Sequence, residues 1–334
     1  MTHHRAFIKI ILLGLGIAFI VVACSNGPGA SPPKDPAGDD RAPIAEVPLY
    51  WADVLEKHKI PEATYAIGIF IPGYGIEWIG TGFAAHYTDG LWTNAHVIVG
   101  LRNVLVDLAH RDPLPLAVQS GESIGSTTAY FLDVSLAITH PQHIHAHSPD
   151  VGVIPIAPGR TLAKRLNLLP QQHVTELRVG QPIGTLGFPA EHSDPYQVVP
   201  LATFKDGTIS VLRPYSNLVT SVTPAIAKIV QHNLDLSKGT SGSPIFDVNG
   251  YVVAVNNAGI DRRVYDSNIE EWVWIDSGNV GWGIRVDEVW GLIDLIEADA
   301  SSTTLKVAPD VIPAPAQYQP FPENWNGTTV APIR

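Results

Sequence analysis

Short apolar stretches separated by turn residues set the rhythm of this chain. The segments "TYAIGIF" from Thr64, "NVLVDLA" from Asn103, "TISVL" from Thr208 and "YVVAV" from Tyr251 are four to eight residues long and rich in β-branched side chains. Each is bounded by Gly, Pro, Asn or Asp, and this pattern predicts β-strands. One late segment has a different period. Val286, Val289, Trp290, Ile293 and Ile296 recur at helical spacing, with Asp287, Glu288 and Asp294 between them, as on an amphipathic helix. Many strands followed by a terminal helix suggest β-barrels. Composition agrees: 45% of the 334 residues are apolar, enough for a sizeable core, and 29 Gly and 28 Pro favour turns.

Both ends fall outside this pattern. His3, His4, Arg5 and Lys9 precede an apolar run from Ile10 to Ala23, long enough for a secretory signal and short for a membrane span. The run ends in "VVAC", which resembles the lipobox of bacterial lipoproteins. In that family the signal is cut before the cysteine, whose thiol carries a lipid. Cys24 is the only cysteine, so no intramolecular disulfide can form. Residues 1–23 are thus expected to be a lipoprotein signal peptide, and residues 24–46, rich in Pro, Gly, Ser and Asp, a disordered tether. Residues 47–300 form the expected domain, and residues 301–334 a Pro-rich tail. Ser25 after the lipid-bearing position, in place of Asp, fits outer-membrane sorting by analogy with Gram-negative lipoproteins. The expected location is the bacterial cell envelope. A formal charge of −11 argues against nucleic-acid partners, which need a basic face.

The chemistry concentrates in two segments. In "KGTSGSPIF", residues 238–246, Ser241 stands among glycines ahead of an apolar strand. A serine is a weak nucleophile until a base activates it, and acyl transfer needs donors for a developing oxyanion. Gly239 lets the backbone turn sharply and present N–H groups. The Gly-x-Ser-x-Gly elbow of α/β-hydrolases is not met, because residue 243 is Ser. In "LWTNAHVI", residues 91–98, His96 follows an apolar stretch and a Thr-Asn-Ala turn. It is the candidate base. Asp133 in "DVSLAI" and Asp150 in "DVGVIPI" each precede an apolar strand, and both are candidates for the orienting acid.

Together, "TNAHV" and "GTSGSP" resemble the His and Ser motifs of trypsin-like serine peptidases, in that family's order His, Asp, Ser. "VGQPIGTLGFP" with "DGTISVL", and "GWGIRVDEVWGLI", resemble the second barrel and closing helix of bacterial HtrA-type proteases. The resemblance implies an all-β fold of two six-stranded antiparallel Greek-key barrels, about 60–160 and 175–285, with a C-terminal α-helix. It also implies a triad of His96, Asp150 and Ser241. Asp150 is preferred to Asp133 because "ITHPQHIHAHSPD" resembles the His-Pro loop before the catalytic Asp. The N–H groups of Gly239 and Ser241 would form the oxyanion hole. Asn256, Asn257 and Ala258, in "GYVVAVNNAGI", would line the substrate cleft. Asp235, six residues before Ser241, falls where this family places the base of its specificity pocket; slippage by one residue would aim it at solvent and bring Asn233 into competition.

Two departures from the family pattern stand out. Thr240 occupies the position where trypsin has the Asp that pairs with a new N-terminus, which fits a cleft formed without proteolytic activation. The roughly 37 residues after the helix are too few for the PDZ domain usual in HtrA-type proteases.

No cofactor or metal is expected. The string His140, His143, His145 and His147 lacks a neighbouring cysteine and reads as a solvated loop rather than a zinc site. The leading expectation is a lipid-anchored serine endopeptidase acting on protein or peptide substrates. The alternatives are a protease-like binding or scaffold protein without turnover, and an esterase on the same scaffold.

Overall fold

The computed structural model describes residues 51–87, 89–119, 129–144, 148–189, 201–216, 221–266 and 271–301. Cys24, the tether and the C-terminal tail lie outside the described residues, as do His145 and His147.

Apolar side chains two apart along the strands build two barrels. In the first, β1 (Thr64–Ile71), β2 (Gly75–Ala84), β3 (Gly90–Thr93), β4 (Leu114–Gln119), β5 (Ala129–Phe131), β6 (Ile138–Thr139) and β7 (Gly152–Pro155) form one sheet in the order β5-β4-β1-β2-β3-β7-β6. The bridge between Leu132 and Ile156, just beyond β5 and β7, joins the ends of that sheet. The second sheet holds β8 (Asn167–Leu168), β9 (Pro182–Gly187), β10 (Thr203–Arg213), β11 (Ile229–His232), β12 (Pro244–Asp247), β13 (Tyr251–Asp266) and β14 (Glu271–Arg285). Its order is β12-β9-β10-β11-β14-β13-β8, and an additional β12–β13 pairing closes it. Each barrel is therefore a ring of six antiparallel strands with one extra two-residue strand, β6 or β8, at its side. Numbered within each ring, both follow the same circuit, 1-2-3-6-5-4, a Greek key. The expected fold holds, and β8 lies between the two expected barrel ranges.

Tyr65, Ile67, Ile69, Leu91 and Ile154 fill the first barrel. Ile183, Ile245, Val253, Val255 and Ile284 fill the second, in a core continuous with Phe83, Trp92 and Val153 of the first. Helix α3 (Asp287–Ser301) covers this core with Val289, Leu292 and Ile293, and its Trp290 Nε1–H donates to the Leu169 carbonyl at 2.8 Å. The helical spacing from Val286 is matched here.

"NVLVDLA" is a correction. Asn103–Asp107 forms the end of α2 (Ala95–Asp107), not a strand. The periodic residues begin earlier than that segment. Val97, Ile98 and Leu101 are buried on one face against the first barrel, with Val104 and Leu105 packed beside them. Burial of that face outweighs the weak helix preference of valine. A short helix α1 (Trp51–Lys57) precedes the barrels, with Trp51 packed on Phe204 and Phe246.

Strands β13 and β14 extend past the barrel. Their ladder runs from Ala254–Arg285 to Asp266–Glu271, with irregularities between Asn256 and Ala258 and between Gly259 and Asp261.

The floor of the second barrel carries a cost. His232, at the end of β11, is fully buried opposite Gly281, and among the described residues neither ring nitrogen has a hydrogen-bond partner. A Cβ on Gly281 would collide with the His232 ring and with Leu236, so this pairing requires glycine. Burial pushes the His232 pKa down to about 3. A folded value below the unfolded one means that the unfolded chain binds more protons, so stability falls as pH drops from about 6.5 toward 3, by about 1.4 kcal/mol per pH unit. Urea unfolding should show the wild type losing about 2–3 kcal/mol more than His232→Leu between pH 6.5 and 4.5. Equal losses would assign the acid sensitivity to other groups.

Candidate active site

The first barrel supplies a histidine and a buried carboxylate. Asn94 is the extended N-cap of α2, but its side chain makes no capping bond. Its Nδ2–H donates instead to the Asp150 carbonyl at 2.8 Å. The capping role passes to Asp150 from across the barrel. Its Oδ1 accepts the backbone N–H of His96 at 2.9 Å, satisfying one of the amides that a helix start leaves unpaired. The positive end of the helix also favours a carboxylate there. The other oxygen, Oδ2, lies 2.6 Å from His96 Nδ1. Asp150 is fully buried, whereas the His96 side chain is 43% exposed. One carboxylate thus fixes both the backbone and the ring of His96 and leaves the far edge of the imidazole toward solvent.

Asp133, the other candidate acid, is engaged elsewhere. Its Oδ1 accepts the Leu136 N–H at 3.3 Å and the Ser135 hydroxyl, capping a single turn over Val134–Leu136.

The second barrel supplies the serine loop, and Thr81 of β2 holds it against the first barrel. The Thr81 N–H donates to the Ser241 carbonyl at 2.8 Å, and its Oγ1–H to the Gly239 carbonyl at 2.8 Å. On its own barrel, the Thr81 carbonyl accepts the Thr93 hydroxyl at 2.7 Å. Gly242 adopts φ +86°, and a Cβ there would collide with Thr81 O and Thr93 Oγ1. Only glycine lets the loop come this close. Beneath the loop, the buried Asn256 donates Nδ2–H to the Thr240 carbonyl at 2.8 Å, while its backbone carbonyl accepts the Gly242 N–H at 2.8 Å. Asn256 is therefore a brace of the serine loop, a role its sequence context did not reveal. The signal available was its polarity directly after the apolar run "VVAV".

The Ser241 Oγ–H donates to the Asn257 carbonyl at 3.0 Å, and among the described residues it has no hydrogen bond to His96. Asn257 sits at the first irregularity of the β13–β14 ladder, which leaves its carbonyl available to the serine. Gly239 has φ +90°. Among the described residues, neither the Gly239 nor the Ser241 backbone N–H has a hydrogen-bond partner. These two amides, one of them the serine's own, are the donor set an oxyanion would need. The Ala258 backbone continues β13, and its side chain lies outside the described set.

Asp235 is placed on the surface. Its side chain is 63% exposed and its carboxylate lies 3.0 Å from Lys205 Nζ. Asn233 is also exposed, with its Oδ1 accepting the Thr208 N–H at 2.6 Å. His232, Leu234 and Leu236 are the inward residues of this segment.

His140 and His143 are not solvated loop residues. His140 is buried, its Nδ1 accepts the Gln142 N–H at 3.2 Å, and its Nε2 lies 3.7 Å from Glu288. Burial pushes its pKa down, helped by His143 and Lys228. Among the described residues, no group of three or more potential metal ligands comes together.

The sequence pattern of the trypsin-like peptidase domain matches residues 80–255, more than half of the chain, and that span contains His96, Asp150 and Ser241. No curated protein sequence matches the chain. Among solved structures, Deg5 is similar at 20% identity, over 73% of this chain and 93% of that one, with a TM-score of 0.45. The HtrA-type protease AlgW, solved with a tripeptide, matches at 17% identity over 74% of this chain and 63% of its own, with a TM-score of 0.46. A serine endoprotease from Yersinia pestis matches at 12% identity over 76% and 69%, with a TM-score of 0.47. On the match over residues 80–255, this chain belongs to the family of trypsin-like peptidase domains.

Proposed function

We propose that the protein is a serine endopeptidase that cleaves protein or peptide substrates through an acyl-enzyme, anchored to a membrane by a lipid on Cys24. The observation that carries the enzymatic part is the two-point hold of Asp150 on His96, at 2.9 Å to its backbone and 2.6 Å to its ring. That hold fixes the tautomer with its proton on Nδ1 and leaves Nε2 as the base.

In this reading, substrate binding draws the Ser241 hydroxyl from the Asn257 carbonyl to His96 Nε2. Serine attacks the scissile carbonyl as His96 takes its proton. The Gly239 and Ser241 N–H groups stabilise the oxyanion, and His96 then protonates the leaving amine. Asp150 remains ionised and supports the imidazolium. Water repeats the sequence on the acyl-serine. The backbone of Asn256–Ala258 lines the path of an extended substrate. Asp235, engaged at the surface with Lys205, is not proposed to set specificity.

One observation favours a second reading, a protease-like binding protein without turnover: the bond from Ser241 Oγ to Asn257 O. A fluorophosphonate probe separates the two. The peptidase reading expects Ser241 to be labelled and Ser241→Ala to lose nearly all hydrolysis while folding normally; a wild type that neither labels nor cleaves would leave the binding reading. Loss of the orienting carboxylate costs on the order of 10⁴ in turnover in the chymotrypsin template. Asp150→Asn should therefore be crippled and Asp133→Asn nearly normal, as read by kcat on a peptide library hit.

The lipid anchor rests on the "VVAC" segment and the single Cys24. Two or more acyl chains anchor stably, at about 0.8 kcal/mol per buried CH₂. Cys24→Ala should abolish incorporation of labelled fatty acid and release the protein from membranes on fractionation. Equal labelling of both forms would refute the anchor.

A further inference from the structure

His143 touches the same carboxylate as His96. It lies in the loop between β6 and β7, where its N–H closes a turn on the His140 carbonyl at 2.9 Å. The turn is itself tied to Val151, just before β7, whose carbonyl accepts the His140 N–H at 2.9 Å. The His143 side chain is 14% exposed, and its Nδ1 lies 3.5 Å from Asp150 Oδ1. That nitrogen is buried and has no hydrogen-bond partner among the described residues. A buried ring nitrogen without a partner is costly, and the nearest complementary group is the Asp150 carboxylate. The two imidazoles divide that carboxylate: His96 takes Oδ2 with its ring, and His143 approaches the Oδ1 that also accepts the His96 backbone N–H.

The far side of His143 is not bulk solvent. His140 lies next to it and faces Glu288 of α3. Glu288 is 3.0 Å from Lys228. The buried Tyr215 hydroxyl, without a partner among the described residues, lies in the field of Glu288, Asp287 and Asp150. Among these groups, His143 is the one that reaches Asp150 Oδ1 from the loop side.

We infer that His143 is a positioning residue for the reaction, donating from Nδ1 to Asp150 Oδ1 and so holding the carboxylate in the plane that serves His96. The inference rests on the peptidase reading. His143 does not line the substrate path, so its loss should fall on kcat with KM unchanged. A misaligned reacting group can cost up to about 10²-fold; His143→Leu should lower kcat about tenfold. His143→Asn, which can place an amide N–H near the position of Nδ1, should recover most of that loss.

A second measurement does not depend on turnover. In the Ser241→Ala background, proton NMR reads the His96 Nδ1–H shared with Asp150. Without the hold, the carboxylate leaves the plane of the His96 ring and the shared hydrogen bond weakens, so His143→Leu should move this resonance upfield and His143→Asn should not. If wild-type protein cleaves but His143→Leu matches it in kcat and leaves the resonance unmoved, the positioning role is overturned and the peptidase reading stands. A drop in kcat that Asn does not rescue, with no change in the resonance, also overturns it, as a packing effect. If the wild type neither cleaves nor labels, the peptidase reading fails and the positioning role for the reaction falls with it.

Discussion

The seam between the barrels is the constraint on which the site depends. His96 and Asp150 belong to the first barrel and Ser241 to the second, so their alignment is only as good as the contact between the two. Thr81 makes that contact with both its backbone and its side chain. It grips the carbonyls on either side of Thr240 while its own carbonyl is held by Thr93. Three short hydrogen bonds converge on one residue in a buried position, where replacing any partner leaves an unsatisfied group. The positive φ of Gly242 follows from this closeness, since any Cβ would occupy the space of Thr81 and Thr93.

A partly buried polar array joins the end of β14 to α3. Arg285 forms a two-point pair with Asp287, at 2.8 and 2.9 Å, and Lys228 lies 2.5 Å from Asp287 and 3.0 Å from Glu288. Burial works against the charge on Asp287, yet Arg285 and Lys228 hold its pKa below the usual range; burial raises that of Glu288. Such arrays add little net stability against an apolar equivalent but are costly to break in part. Here the array joins the last strand, the start of α3 and, through Glu288 and His140, the loop that carries Asp150.

Much of the fold was legible because barrel strands repeat a simple period. The apolar run "TYAIGIF" and the spacing from Val286 in α3 each correspond to buried residues. What misled was α2: its apolar residues are mostly β-branched, so the local preference for strand was overridden by packing that no short window contains. The juxtaposition of His96 with Asp150 was reachable through motif order, but the helix-capping bond from Asp150 to the His96 backbone was not, since it depends on a contact 54 residues apart. The ion pair of Asp235 and the burial of His140 and His143 depend on loop geometry, which carries no periodic signal.

The extension of β13 and β14 separates two requirements that a single strand pair would otherwise share. Near the barrel, Asn256 and Asn257 must hold the serine loop in one register. Beyond the irregularity after Gly259, six successive pairs from Asp261–Asp276 to Asp266–Glu271 run without further interruption. That break insulates the outer ladder from the inner one. The outer ladder can be lengthened or shortened by matched pairs, two at a time to keep the same faces, without disturbing the residues at the cleft. Its reach is thus a quantity open to evolutionary or deliberate adjustment, while the geometry around Ser241 stays fixed.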